Sequence, residues 1–277
     1  MRKSKLNKGT AVYISIAERP SNTGTTVFNA AFEQLGIDAI YKACRVDRHA
    51  LVDAIAGIRA LDIRGCGVSM PFKQEIVKYL DRLDPLAREV GAVNTVVNKK
   101  GRLHGYNTDT TAARQMLQGI RGIKNKSILI LGAGGVAQAI CCALARLNVR
   151  HTIVTSRSDT QSRALVKQWQ LQGTLPWSQR QRASADILIN ATPVGMVPEV
   201  HEMPITEKAL RNFEFIMDVV ATPYETRLIA TGAKLGKRVL RGSDMALIQA
   251  LHQFKLYTGE APPEAVMRRA LVKLIKN

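Results

Sequence analysis

The run ILILGAGGVAQAI, residues 128–140, constrains the fold more than any other stretch of the chain. Four apolar residues lead into Gly132, Ala133, Gly134, Gly135, Val136 and Ala137, and a helical run follows at once. Gly132, Gly134 and Ala137 fill a G-x-G-x-x-G/A spacing. The first glycine allows a tight turn out of a strand, the second lets a pyrophosphate approach the backbone, and Ala137 keeps the helix close to the strand. The free N–H groups of the helix start then face the anion. A bare glycine triplet also serves packing alone, but the strand–turn–helix context makes these six residues candidate dinucleotide contacts.

The end of the next strand selects the dinucleotide. A site for NAD places Asp or Glu there to bond the ribose 2′-OH. This chain has Ser156, Arg157 and Ser158, with Asp159 only beyond them. A planar guanidinium flanked by hydroxyls suits a 2′-phosphate, so the expected cofactor is NADP. The alternative is an ordinary surface arginine.

Strand-like and helix-like segments alternate on both sides of this loop. Residues 11–17, 38–46 and 63–70 read as strands, with helices over 25–36 (closed by Gly36) and 48–61. Residues 92–109 read as a hairpin turning at 98–101. The alternation restarts near residue 125, with strands over 185–193, 213–223 and 237–242 and two closing helices, the first capped by Ser243. Strands separated by helices of this length imply βαβ units and a mostly parallel sheet. The expected fold class is α/β with two domains: residues 1–110 completed by helices in 243–277, and residues 111–242 as the nucleotide domain.

Bulk composition excludes more than it selects. No apolar run approaches the roughly 20 residues that span a bilayer, and the basic start MRKSKLNKGT lacks an apolar signal core, so a cytoplasmic protein is expected. Four cysteines (Cys44, Cys66, Cys141, Cys142) and five scattered histidines show no disulfide or metal-ligand spacing, and no metal is expected. The net charge of +18 is spread along the chain, with short clusters at the N-terminus, at 178–182 and at 267–276. It favours an anionic small molecule; neither a membrane nor a nucleic acid is expected as a partner, and the chain is expected to be a monomer or a homodimer.

The octapeptide VSMPFKQE, residues 68–75, poses a separate question. Pro71 suits a first helical position, which puts Lys73 in the first turn, where a cation is disfavoured. The plain reading is a solvated lysine. The chemical reading is a lysine that gives up its proton readily.

Six motifs occur in order: VSMPFK (68–73), VGAVNTVVN (90–98), GYNTD (105–109), LGAGGVAQA (131–139), NATPVGM (190–196) and GSDMALIQA (242–250). Through them the chain, from about residue 11 to 260, resembles the shikimate dehydrogenase family, which reduces 3-dehydroshikimate to shikimate with NADPH. The resemblance implies an N-terminal α/β substrate domain and a Rossmann-type NADP domain with a cleft between them. It makes Lys73 and Asp109 the catalytic pair, and Ser69, Asn94 and Gln249 substrate contacts. Gly242 and Met245 would lie beside the nicotinamide, with Thr192 and Val219 lining the cofactor cleft. Each has a bland competitor: Asp109 as a helix cap, Asn94 at a strand bend, Gln249 and Met245 as helix packing.

Two departures stand out. The family pattern S-x-S-P, whose serines bind the substrate carboxylate, falls on Asn22 and Gly24, with Ser21, Thr23 and Thr25 as neighbouring hydroxyls; Ser21 and Asn22 are the candidate contacts. A tyrosine before x-P is replaced by Ala221 in DVVATP. The chain is therefore similar to a divergent, shikimate dehydrogenase-like (shikimate or quinate) branch. Three alternatives remain: a dehydrogenase for quinate or another shikimate-like polyol acid, a methylenetetrahydrofolate dehydrogenase-like enzyme, and a non-catalytic basic protein binding NADP or nucleic acid.

Overall fold

The computed structural model describes residues 6–276; residues 1–5 of the basic N-terminal cluster lie outside that range. Two compact units divide the chain, one running to Thr108 and resuming over Leu247–Ile275, the other Asp109–Ala246.

The first unit contains β1 (Ala11–Ala17), α1 (Thr23–Leu35), β2 (Ala39–Arg45), α2 (Leu51–Ala60), β3 (Gly65–Val68), β4 (Arg82–Leu83), α3 (Pro85–Val90), β5 (Thr95–Lys99) and β6 (Arg102–Tyr106). The sheet order is β2-β1-β3-β5-β6-β4. β1 pairs in parallel with β2 and β3, and β5 runs antiparallel to β3 and β6. The β5–β6 hairpin turns through Lys100 and Gly101, whose φ of 53° and 82° are the left-handed values a two-residue turn of this hand requires. Gly36 closes α1 at φ 66°.

Period-two alternation gives this sheet two apolar faces. Ile16, Cys66 and Val68 pack with Leu51, Ile55 and Ile58 of α2 on one face. Tyr13 and Tyr41 pack on the other with Phe28 and Phe32 of α1 and with Phe254 and Met267. The last two belong to α9 (Gly242–Thr258) and α10 (Glu264–Lys276). Phe254 is fully buried, and truncating such a side chain typically costs about 3–5 kcal/mol.

The helix expected from Pro71 does not form. Residues 71–74 make a turn, and only a 3₁₀ segment, Glu75–Tyr79, follows. The Lys73 carbonyl, which an α-helix would offer to Val77, instead accepts the N–H of Val93 at 2.7 Å, while the Val77 N–H donates to Gln74. Lys73 therefore stands in an irregular turn, and the macrodipole argument has no α-helix to rest on.

The second unit contains α4 (Thr108–Gln118), β7 (Ile128–Leu131), α5 (Gly135–Arg146), β8 (Thr152–Thr155), α6 (Asp159–Trp169), β9 (Gly173–Thr174), β10 (Ile187–Asn190), α7 (Glu207–Leu210), β11 (Phe215–Asp218), α8 (Arg227–Lys234) and β12 (Arg238–Leu240). Its sheet, in the order β12-β11-β10-β7-β8-β9, is parallel throughout. β7, β10 and β11 are buried along their whole length, as expected of strands covered on both faces. Cys141 and Cys142 are buried packing residues of α5. Helix α9 begins at Gly242, so Ser243 lies inside its first turn instead of capping it, and its buried hydroxyl bonds to no described residue. Asp109 likewise lies inside the first turn of α4. Among the described residues, no helix is long and apolar enough to cross a membrane, and no three metal-binding side chains converge.

Asp218, at the end of β11, is completely buried. It accepts hydrogen bonds from Asn190 Nδ2 at 3.0 Å, the Val220 N–H at 3.0 Å and Thr226 Oγ1 at 2.6 Å. Burial outweighs these bonds and raises its pKa from 3.8 to about 6. A carboxyl with a raised folded-state pKa adds stability that is full below its unfolded pKa and is lost as pH rises through the folded one. Asp218→Asn keeps one of the two acceptor oxygens, the one that takes Asn190 and Val220, and cannot ionise. In urea titrations it should lack the loss of stability that the native protein suffers between about pH 4 and pH 7, a difference of at most about 3 kcal/mol. Parallel stability curves for the two proteins over that interval would refute the assignment.

Candidate functional site

In an open α/β sheet, ligands bind beyond the carboxyl ends of the parallel strands. In the first unit that edge collects the ends of β3 and β6 and, because β5 is antiparallel, its start. Ser69, Lys73 and Asn94 are thereby brought together. The Val68 N–H donates to the Asn94 carbonyl at 2.8 Å, the Ser69 N–H donates to Ile16, and Lys73 is tied through its carbonyl to Val93. Ser69 is exposed and Lys73 half-buried.

Asn94 is fully buried at the centre of a polar cluster. Its Oδ1 accepts the Thr108 N–H at 2.8 Å and the Thr95 hydroxyl at 2.9 Å, and its Nδ2 donates to Thr108 Oγ1 at 2.9 Å. Gln249, half-buried on α9, makes no hydrogen bond to a described residue. One turn further along α9, the amide of Gln253 donates to Thr95 Oγ1 at 2.9 Å and to the Asn94 carbonyl at 3.1 Å. Asp109, next in the chain to Thr108, is only 4% exposed.

Ser21 and Asn22 are exposed at the start of α1 and share no hydrogen bond with this cluster. Thr25 Oγ1 is occupied, accepting the Ala43 N–H at 3.0 Å. Tyr41 accounts for the glycine at position 24. Its ring stacks on Phe28 at 4.5 Å and runs under Gly24, where a Cβ would stand 2.6 Å from Cε1. The Tyr41 hydroxyl reaches Gly67 of β3, where a Cβ would meet it at 2.7 Å. A serine at position 24 therefore has no room while Tyr41 stands where it does.

In the second unit the chain runs outward from β7 to β8 and β9, then returns to β10 on the other side. This reversal opens a crevice between the ends of β7 and β10. Gly132 takes a φ of 112°, and a Cβ there would strike the Ala191 carbonyl oxygen at 2.6 Å. Beside Ala133, Gly134 and Gly135 face open space, Val136 is half-buried, and Ala137 is buried against the sheet. A loop with a forced glycine at the strand end and bare backbone at the helix start fits a pyrophosphate.

Arg157, at the end of β8, is exposed and bonds to no described residue. The flanking serines shape the turn that carries it. Ser156 Oγ, nearly buried, closes the turn onto Ser158 and Ser162, each at 2.8 Å, and Ser158 caps α6. The turn holds Arg157 outward, available to a 2′-phosphate. Thr192 donates to Asn190 Oδ1 at 2.6 Å, and Val219 is held by the Asn190 carbonyl at 3.0 Å. Gly242 packs directly on the Val219–Val220 backbone, where a Cβ would lie 2.5 Å from either carbonyl carbon, with Met245 buried one turn on.

Sequence reasoning passed over Thr95, Thr108, Gln253, Asn190, Asp218 and Tyr41. Asn190 and Asp218 carried a signal, as polar residues ending all-apolar strands, and Gln253 carried the i, i+4 spacing from Gln249. Tyr41 carried none, since only the fold brings it beneath Gly24.

Comparison with known proteins agrees with this geometry. Residues 22–96 match the shikimate dehydrogenase substrate binding domain, residues 111–223 the shikimate / quinate 5-dehydrogenase family, and residues 242–272 the shikimate 5′-dehydrogenase C-terminal domain. A shikimate dehydrogenase-like protein of Haemophilus influenzae is 35% identical over 96% of this chain and 97% of its own. A shikimate dehydrogenase (NADP(+)) of Pyrococcus abyssi is 39% identical over 87% of this chain and 89% of its own. The crystal structure of shikimate 5-dehydrogenase from Thermus thermophilus in complex with NADP(H) and shikimate superposes with a TM-score of 0.84 at 27% identity, covering 95% of this chain and 99% of that one. With both strand-edge sites in place and full-length relatives on either side, the chain belongs to the shikimate dehydrogenase family.

Proposed function

We propose that the protein is an NADP-dependent oxidoreductase that interconverts shikimate and 3-dehydroshikimate by hydride transfer, with Lys73 as general acid and base assisted by Asp109. The observation that carries this reading is that five of the six motifs reach the carboxyl-end edge of their own sheet, while the sixth opens helix α9.

The glycine loop would hold the pyrophosphate, Arg157 the 2′-phosphate, and Gly242 and Met245 the nicotinamide face. Bound there, NADP supplies or takes the hydride at nicotinamide C4. Lys73 Nζ takes the alcohol proton during oxidation and returns it during reduction. Asp109 orients that ammonium and bonds the same hydroxyl, while Asn94, Ser69 and Gln249 hold the ring hydroxyls. Ser21 and Asn22 would take the substrate carboxylate. The four free cysteines fit a reducing compartment such as the cytoplasm.

Tyr41 favours a second reading. By excluding a serine from position 24 it changes the carboxylate end of the pocket, which points to quinate or a related polyol acid as an equal or better substrate.

NADPH formation should be measurable with shikimate, with quinate, or with both; turnover of neither removes the substrate assignment and leaves the fold intact. Lys73→Ala should lower kcat by about 10²–10⁴-fold with little change in NADP affinity. A retained rate with a raised KM would instead make Lys73 a binding residue. Arg157→Ala should raise KM for NADP about tenfold while leaving KM for NAD unchanged, and an equal effect on both would remove the 2′-phosphate contact.

A further inference from the structure

We propose that Gln253 is a positioning residue for substrate recognition. Through Thr95 it holds the Asn94 side chain so that one amide N–H is presented to an oxygen atom of the substrate. This rests on the reading of Asn94 as a substrate contact.

The argument is one of donors and acceptors. An asparagine amide has an oxygen end that accepts and a nitrogen end that donates, and its neighbours decide which way round it sits. The Thr108 N–H can only donate, and it lies 2.8 Å from Asn94 Oδ1. The Gln253 amide nitrogen can only donate as well, and it reaches Thr95 Oγ1 at 2.9 Å and the Asn94 carbonyl at 3.1 Å. Thr95 must therefore accept from Gln253, and its own proton then has Asn94 Oδ1 at 2.9 Å as the nearer acceptor, ahead of Thr108 Oγ1 at 3.2 Å. Two donors thus converge on Oδ1, and the Thr108 hydroxyl lies 3.2 Å from it as a third. Of the two Nδ2 protons, one goes to Thr108 Oγ1 at 2.9 Å and the other has no partner among the described residues. A reversed amide would set nitrogen against both donors.

The four residues are buried, Gln253 to 5% and Asn94 and Thr95 completely, so no bulk water replaces a lost donor, and a substrate oxygen reaches the free Nδ2 proton only by displacing what covers it. Gln253 lies 158 residues from Thr95 in sequence, and the contact exists only because α9 packs on this sheet. The recognised substrate atom is a ring hydroxyl oxygen acting as acceptor, and its own proton must go elsewhere.

Gln253→Met keeps the volume and removes the donor. It should raise KM for shikimate about tenfold, change kcat less than about threefold and leave KM for NADP alone. Asn94→Ala should raise KM further, and adding Gln253→Met to it should then add less than about twofold, because a positioning residue has nothing left to position. Thr95→Val should reproduce Gln253→Met, and Thr95→Ser, which keeps the hydroxyl, should stay within about twofold of the native enzyme; this pair decides the matter if Gln253→Met fails to fold. The same KM increase from Gln253→Met with and without Asn94, or none while Asn94→Ala raises KM, overturns the proposal alone. An unchanged KM in Asn94→Ala, or no turnover of shikimate by the native protein, overturns it together with the functional reading beneath it.

Discussion

A parallel strand cannot be followed by its parallel neighbour through a tight turn; the chain must cross over and come back. In both units this requirement sends the strand ends to one edge of the sheet and leaves their loops there, free of any duty inside the ladder. The chemistry-bearing residues occupy those loops. The one antiparallel strand of the first sheet, β5, obeys the same logic in reverse, since its start shares the edge with the ends of β3 and β6. That is how Asn94, at the beginning of a strand, comes to stand beside Lys73, which follows the end of another.

Each edge is held by buried polar bonds as well as by apolar packing. In the nucleotide unit Asn190 and Asp218 tie the loops after β10 and β11 to one another, and Gly132 and Gly242 press backbone against backbone where any side chain would intervene. In the other unit Asn94, Thr95, Thr108 and Gln253 play the corresponding part. Such networks confer orientation more than stability, because a hydrogen bond adds little net energy while a buried group left without one is costly. Asp218 carries that cost in its raised pKa, and its bonds fix the two loops in return.

One departure from the family pattern, Gly24, has a structural counterpart in the sheet of the same unit. Gly24 and Tyr41 fit each other: the ring occupies the volume a serine would need, and Gly67 yields to its hydroxyl. The serines flanking Arg157 show a related economy, since their hydroxyls shape the turn while the guanidinium between them stays exposed.

The α/β class, the strand alternation, the hairpin and the glycine loop were legible in the sequence because they follow from local rules: periodicity, turn residues and spacing. Gly36, Gly101 and Gly132 mark their turns without help from the rest of the chain. Pro71 misled for the same reason, since local preference favours a helix there, whereas in the fold the Lys73 carbonyl takes a long-range bond from Val93. Tyr41 beneath Gly24 and Gln253 beside Thr95 were decided by tertiary structure alone. Their partners are distant in sequence, and no periodicity encodes which side chain a helix or strand will set against another until the sheet has brought them together.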